Sequence, residues 1–434
     1  MRNRFLIIFA LIVAGEAVFA LPFHVARFFR PTVLEVFGIT ATQLGAAQGV
    51  YGVVAFLLYF FGGPLADYFS ARKLLAASLW STAAGGIYLA SFPSYTGTQI
   101  IYGFFGITNI LLSWAALIKA TRNWGGSSTQ GSTFGLLEGG RGLLAAALAS
   151  IGVLIFSFAY PDDYEAATLA DKELALRIVI YMYATVTALT GFLIWFVIPE
   201  ESANNNSTAA QQPSALHHVV RVIKMPAVWL HGLIIMCAYV AYKGFDSYSL
   251  FAVQAYGMNE IDAANVIAIS NWMRPVAALG AGIIADRFFG ASKVLVVCFV
   301  VLLFSDLFFA LTTPVVSMGW ILLGNITVSA TAFFAMRGIY FAVMEEVKIP
   351  ALVTGTAVGT ASLIGFSPDI FVSYVGGVLI DRTPGVAGHQ HFFMFLSAFA
   401  ALGAVFSSVM WWRFAGNSGR RYAGEVETPS EGHS

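Results

Sequence analysis

An all-α membrane protein of twelve spans, in two halves of six with a polar segment between them, is the fold class this sequence predicts. Three observations lead there. Hydrophobic residues make up 58% of the 434 positions and charged residues only 11%, with a mean hydropathy of +0.76, and no soluble surface can be built from that balance. At about 20 apolar residues per crossing of a ~30 Å hydrocarbon layer, the apolar content suffices for roughly twelve spans. Finally, a loop after the second span recurs after the eighth. The same composition excludes other classes. Lys+Arg and Asp+Glu number 23 each, so there is no basic footprint for nucleic acid. The two cysteines, Cys237 and Cys298, lie in apolar runs and exclude a disulfide framework or a zinc cluster.

Apolar runs broken by charges and turn residues place the spans at about Phe5 to Phe28, Gln43 to Gly62, Leu74 to Phe92, Gln99 to Ile118, Thr133 to Phe158 and Leu176 to Ile198. The second six run from about Ala227 to Phe251, Asp262 to Ala285, Lys293 to Thr312, Met318 to Phe341, Ala351 to Leu379 and His391 to Phe414. Glu200 to Pro213 is polar and rich in Asn and Gln, the composition of a flexible linker. The resulting division is 1–199, a linker at 200–225, 226–414, and a polar tail at 415–434. The first apolar run is long and holds Glu16, so it is read as a span and not as a cleaved signal.

Lys and Arg set the orientation. Fifteen lie on the side of the termini and linker, among them Arg4, Arg72, Lys119, Arg287 and Arg337; five (Arg27, Arg30, Lys172, Arg177, Arg382) lie on the other. Both termini are therefore expected in the cytoplasm.

The repeat is Gly63-Pro64-Leu65-Ala66-Asp67-Tyr68-Phe69-Ser70-Ala71-Arg72-Lys73, which returns as Gly282-Ile283-Ile284-Ala285-Asp286-Arg287-Phe288-Phe289-Gly290-Ala291-Ser292-Lys293. Asp67 and Asp286 are 219 residues apart, and the same offset carries Gly38 onto Gly257. An acid at a helix end with a base a few residues on can pair across the loop, so Asp67, Arg72, Asp286 and Arg287 are candidate gating residues. The alternative is a plain solvated loop.

Twelve spans, two halves, a linker and this duplicated loop resemble the major facilitator superfamily. The resemblance implies two pseudo-symmetric six-helix bundles that rock about a midplane site, a secondary transporter of the cell inner membrane, and a monomer. The Gly-Pro motif that drug antiporters carry in the fifth helix and the Arg near the start of the fourth are absent, which argues against drug export.

Ionisable groups inside spans cost about 2.5–3.5 kcal/mol on insertion scales and need a partner or a wet cavity. Tyr239, Lys243 and Asp246 share one face of helix 7. The 219 offset carries His24 onto Lys243 and Arg27 onto Asp246, so helices 1 and 7 present ionisable groups at equivalent positions. Tyr242-Lys243-Gly244-Phe245-Asp246-Ser247 is similar to the helix 7 stretch of the organophosphate/phosphate antiporter branch, whose helices 1 and 7 carry paired arginines facing the phosphate. Here His24 and Lys243 stand where Arg is expected, and a carboxylate or sulfonate is satisfied by less than a bidentate fork.

Glu138 and Arg141 lie three apart among glycines in helix 5, and Arg274 precedes Pro275 in helix 8. The candidate substrate contacts are thus His24, Arg27, Arg141, Tyr239, Lys243 and Arg274, with Glu138 a partner or gate. Glu16 and Asp246 are the candidate proton carriers. Simple structural pairing of Lys243 with Asp246 and of Glu138 with Arg141, and snorkelling of His24 and Arg27 to headgroups, stand as alternatives. Asp306 in helix 9 is expected to be structural, and Asn109 and Asn325 to join helices.

No nucleotide loop, metal motif or nucleophile elbow occurs, so no enzyme chemistry, metal or cofactor is expected. The expected function is secondary active transport of a small organic anion by alternating access, as symport with protons or as antiport. The partners are the substrate, a proton or counter-anion, and membrane lipid. A carrier of a neutral or amphiphilic solute and a non-transporting sensor on the same fold are the alternatives.

Overall fold

The structure, a computed structural model, describes residues 4–125, 130–160, 166–200, 222–315, 319–347 and 354–415. Most of the expected linker, all of the tail beyond residue 415 and the side chain of Asp67 lie outside the described residues.

Every described element is helical, and a helix satisfies its own backbone where lipid offers no hydrogen bonds. Helix α1, residues 4–37, starts as Arg4–Phe19, widens into a π turn at Ala20–His24, and resumes as Val25–Phe28 and Arg30–Phe37. Pro22 inside the π turn has no N–H to give, which accounts for the widening. The expected span ended at Phe28, but the helix runs nine residues further, to the left-handed Gly38 cap at φ +60°. Pro31 in the first turn of the last segment is compatible with helix there.

Then follow α2 (Ala41–Tyr68), α3 (Ala71–Leu89), α4 (Tyr95–Gly125), α5 (Gln130–Ala159) and α6 (Leu169–Val197). In the second half come α7 (Pro226–Tyr256), α8 (Glu260–Phe289), α9 (Ala291–Leu311), α10 (residues 319–346), α11 (residues 354–382) and α12 (residues 386–415). Among the described residues, eleven helices are long and apolar enough to cross a membrane, and the 19-residue α3 is not one of them. The repeat extends to the caps: Gly38 and Gly257 close α1 and α7 in the left-handed region, and Thr40 and Asn259 cap α2 and α8 at the same 219 offset.

The halves meet along α2 against α11 and along α5 against α8. The first contact is backbone on backbone: a Cβ at Gly45 would collide with the Ser373 carbonyl, and one at Gly377 with the backbone of Ala41 and Thr42. Polar ties gather at the end away from the termini. Lys172 of α6 bridges Glu35 of α1 (2.6 Å) and Glu260 of α8 (2.9 Å), and the Thr42 N–H donates to Asp381 at 2.7 Å. At the terminal end the first half keeps its own apolar core, including Leu11, Leu75, Leu117 and Ile194, separate from the large cluster that joins the halves elsewhere.

Helix approach at this seam yields a test. Gly377→Ala places a methyl against backbone that cannot yield, and overpacking of this kind costs about 1–3 kcal/mol. Gly280→Ala in α8, where a Cβ meets nothing within 4 Å, is the matched control. Thermal unfolding of both variants in detergent is expected to show a lowered Tm for the first and a near-unchanged Tm for the second.

Candidate functional site

Two knots of charge lie between the halves. The first centres on Glu16, which the regular opening stretch of α1 carries into the interior, where it is 3% exposed. Arg274 of α8 meets it as a fork, Nη1 to Oε1 at 3.0 Å and Nη2 to Oε2 at 3.4 Å. Arg141 of α5 approaches with Nε at 3.4 Å and His24 with Nε2 at 3.5 Å. Arg141 also pairs with Glu138, one turn earlier on the same helix. The small residues of this stretch make room for the guanidiniums: a Cβ on Gly142 would press Arg274, and one on Gly15 would press Arg141 and Leu117.

The second knot centres on Asp246, which the 3-10 turn Phe245–Ser247 places inside α7. Arg27 Nε meets Oδ1 at 2.6 Å and Lys243 Nζ meets Oδ2 at 2.8 Å. Lys243 reaches on to Asp369 of α11 at 3.5 Å, and the Tyr239 hydroxyl donates to the same carboxylate at 3.1 Å. Ser249 Oγ donates to the Arg27 carbonyl at 2.7 Å. Aromatic rings cover the cations: Lys243 lies over Phe23 at 4.5 Å, and Arg27 over Tyr242 at 4.7 Å. A cleft between α2 and α11, lined by Gly52, Tyr59, Phe366 and Asp369, reaches this knot.

Both knots join one half to the other. Arg274–Glu16 and Arg27–Asp246 are pairs between halves, and Arg27 and Asp246 are the very residues that the internal repeat superposes.

The structure therefore brings together His24, Arg27, Tyr239, Lys243 and Asp246 around the opened turns of α1 and α7, and Glu16, Glu138, Arg141 and Arg274 beside them. His24 and Arg27 are buried and engaged with carboxylates, so headgroup snorkelling does not describe them. Arg274, for which the sequence offers no partner, has Glu16. Asn109 bonds to Thr82 and Asn325 to Ser305, each joining neighbouring helices. Asp306 is buried, not lipid-facing, and has no ion-pair partner among the described residues. The gating candidates are dispersed. Arg72 and Lys73 meet Glu200 beyond α6, where hydrogen bonding from Lys73 holds the exposed carboxyl below its ordinary range. Asp286 and Arg287 are exposed and make no ion pair among the described residues.

Two cations escaped the sequence reading. Arg30, read as a loop residue, is fully buried and donates to the Asp246 carbonyl at 3.4 Å. Its spacing of three from Arg27 was the available signal. Arg337, counted among the terminal-side cations, stacks on Tyr242 at 4.0 Å. The aromatic residues Phe333, Phe334 and Phe341 on the same helix mark that face.

A family description matches this geometry. A sequence model of the Major Facilitator Superfamily covers residues 5–372. The chain belongs to the Major Facilitator Superfamily. It is a multi-pass membrane transporter of small molecules and not an enzyme. Among its relatives, inner membrane protein YqcE of Escherichia coli K12 is 30% identical over 378 residues, 85% of each chain. Inner membrane protein YihN of the same organism is 25% identical over 415 residues, 94% of this chain and 96% of that one. In fold, the chain is similar to a bacterial homolog of the human lysosomal transporter Spinster, solved in an inward-facing, unoccupied conformation (TM-score 0.74, 13% identity, 95% of this chain and 98% of that one). It is also similar to the nucleoside transporter NupG (TM-score 0.70, 14% identity, 94% and 99%). At such identities these two likenesses speak to the fold alone.

The knots make a stability prediction. Removing one partner of a buried pair leaves an uncompensated charge and costs about 3–5 kcal/mol. Asp246→Ala strips Arg27 of its carboxylate and is expected to lose that much. Lys243→Met leaves Asp246 with Arg27 and is expected to lose clearly less. Denaturant or thermal unfolding of the two variants side by side checks the order.

Proposed function

We propose that this superfamily member is a secondary active transporter of a small organic anion, a carboxylate, sulfonate or phosphate ester, working by alternating access of two six-helix bundles. In this reading α3 is the twelfth span, residues 1–199 and 226–414 are the bundles, and the 200–225 segment links them in the cytoplasm. The observation that carries it is the charge balance of the interior. Arg27, Arg30, Arg141, Lys243, Arg274 and Arg337 surround the two knots against the carboxylates of Glu16, Glu138, Asp246 and Asp369. The surplus is positive, and positive charge in a low-dielectric interior calls for an anion.

The pairs between halves supply a mechanism. A substrate carboxylate, sulfonate or phosphate competes with Glu16 for Arg141 and Arg274, and with Asp246 for Arg27 and Lys243, while Tyr239 and His24 supply neutral polar contacts. Each displaced pair is one that ties the bundles together. Substrate binding thus loosens the state in which the end away from the termini is tied shut, which is how a ligand shifts a two-state equilibrium. Protonation of Glu16 or Asp246 weakens the same pairs, and either can couple transport to protons. Exchange of one anion for another is the alternative, since a second anion restores the same neutralisation. The Arg72–Glu200 and Lys73–Glu200 contacts, with Asp67, Asp286 and Arg287, serve as gates on the cytoplasmic face.

The relatives' names as inner membrane proteins and the Lys/Arg asymmetry support the inner membrane with both termini cytoplasmic. The helix 7 stretch around Lys243 supports a place near the organophosphate branch. A neutral-solute carrier is the second reading, favoured by one observation: most of these cations already hold a carboxylate.

The test is a thermal-shift screen of the purified full-length protein against lactate, isethionate, glycerol 3-phosphate and neutral glycerol. Ligand at about 100 times its Kd adds ~2.7 kcal/mol of stability. Stabilisation by at least one of the anions and not by glycerol is expected, and Arg141→Gln and Arg274→Gln should each abolish it. Stabilisation by glycerol alone would establish the neutral-solute reading instead.

A further inference from the structure

All but two of the interior cations are committed. Arg27 and Lys243 hold Asp246, and Arg141 and Arg274 hold Glu16. An anion can reach any of these four only by breaking an ion pair that already exists. Arg30 and Arg337 alone among the six lack a carboxylate partner among the described residues. Of these two, Arg30 is fully buried beside the Asp246 backbone, where nothing from solution arrives in this conformation. Arg337 differs in exposure: it is partly exposed, and like Arg30 it carries a buried guanidinium nitrogen, Nη1, without a hydrogen-bond partner among the described residues.

What holds Arg337 is aromatic. Its guanidinium lies over the Tyr242 ring at 4.0 Å and near Tyr239 at 5.7 Å. A ring under the face of a guanidinium stabilises its charge without using its donors, because all five N–H groups lie in the guanidinium plane. A stacked, unpaired arginine is therefore a preorganised fork with its edge free, the arrangement that takes a carboxylate, sulfonate or phosphate group in two parallel hydrogen bonds. Tyr242 also underlies Arg27 at 4.7 Å. The ring that seats the free guanidinium thereby touches the guanidinium bound to Asp246, and an anion arriving at Arg337 is next to the pair it must displace.

We propose that Arg337, stacked on Tyr242, is the receptor for the substrate's anionic group in this conformation, the fork on which the anion lands before it displaces Asp246 from Arg27. The proposal rests on the anion reading above and adds the order of events. The first contact is made with a cation that costs no ion pair, and the pairs that tie the bundles break second.

The experiment measures the Kd of the full-length protein in nanodiscs for whichever of lactate, isethionate and glycerol 3-phosphate stabilises it, in wild type, R337Q, R337K and Y242L. A rise in Kd of tenfold or more in R337Q is expected. A several-fold rise is expected in R337K, which keeps the charge but loses the fork, and in Y242L, which loses the platform. Wild-type affinity in R337Q and R337K would overturn the receptor assignment while leaving the anion reading intact. Should R337Q fail to fold, R337K decides, since wild-type affinity there excludes a role for the fork. An absence of any anion binding by the wild-type protein would overturn the anion reading and the receptor with it.

Discussion

The desolvation of charge governs this structure. Ionisable side chains gather at the junction of the halves, where water is scarce and an isolated ion would be costly by several kcal/mol. They are tolerated because nearly every one meets its opposite, and the partners come from different helices: Glu16 from α1 with Arg274 from α8, Arg27 from α1 with Asp246 from α7, Lys243 from α7 with Asp369 from α11. The burial of these charges and the joining of the halves are thus one event. Separating the halves without supplying other partners would strand charges in a low dielectric, so the conformation is held by the same groups that a charged ligand would address.

Around that constraint the apolar packing is divided. At the end away from the termini, the chain lets α2 and α11 touch backbone to backbone through glycines, and Lys172 spans from the first half to the second. At the terminal end the first half's core stands apart, and the ion pairs of Arg72 and Lys73 run to Glu200 just beyond α6. Tight contact at one end with independence at the other suits the rocking proposed above, because the weaker contacts are the ones that yield. The irregular turns fall where the charges are: the π turn ends at His24 and the 3-10 turn holds Asp246. Such turns re-aim side chains that a straight helix would spread around its circumference.

The repeat gives these facts a common origin. An offset of 219 residues relates the caps at Gly38 and Gly257, the loop acids Asp67 and Asp286, and the positions of Arg27 and Asp246. Where two positions related by the repeat face one another, identical charges would repel; here one is basic and the other acidic, at 2.6 Å. Symmetry of the backbone is kept and symmetry of the charge is broken, which turns equivalent positions into a bond.

Much of this was legible in the residues. Apolar runs of span length identified the helices because lipid admits little else, and the duplicated loop identified the family since register over a whole helix and loop is hard to reach by chance. The intramembrane charges Glu16, Arg141, Lys243, Asp246 and Arg274 could be named as candidates because their cost demands a reason. Helix ends were less legible: Arg27, Arg30 and Pro31 look like the close of a span, yet α1 continues to Phe37 because proline is at home in a helix's first turn. That misplacement put Arg30 in a loop, and a similar one put Arg337 among the terminal-side cations. What the sequence by itself determined is which residues must be buried and that their charges must be compensated, since both follow from composition and the solvent. Which charge meets which is a matter of distance between helices far apart in the chain. Only the tertiary structure decided that Glu16 holds Arg274, that Arg27 holds Asp246 and that Arg337 stacks on an aromatic ring.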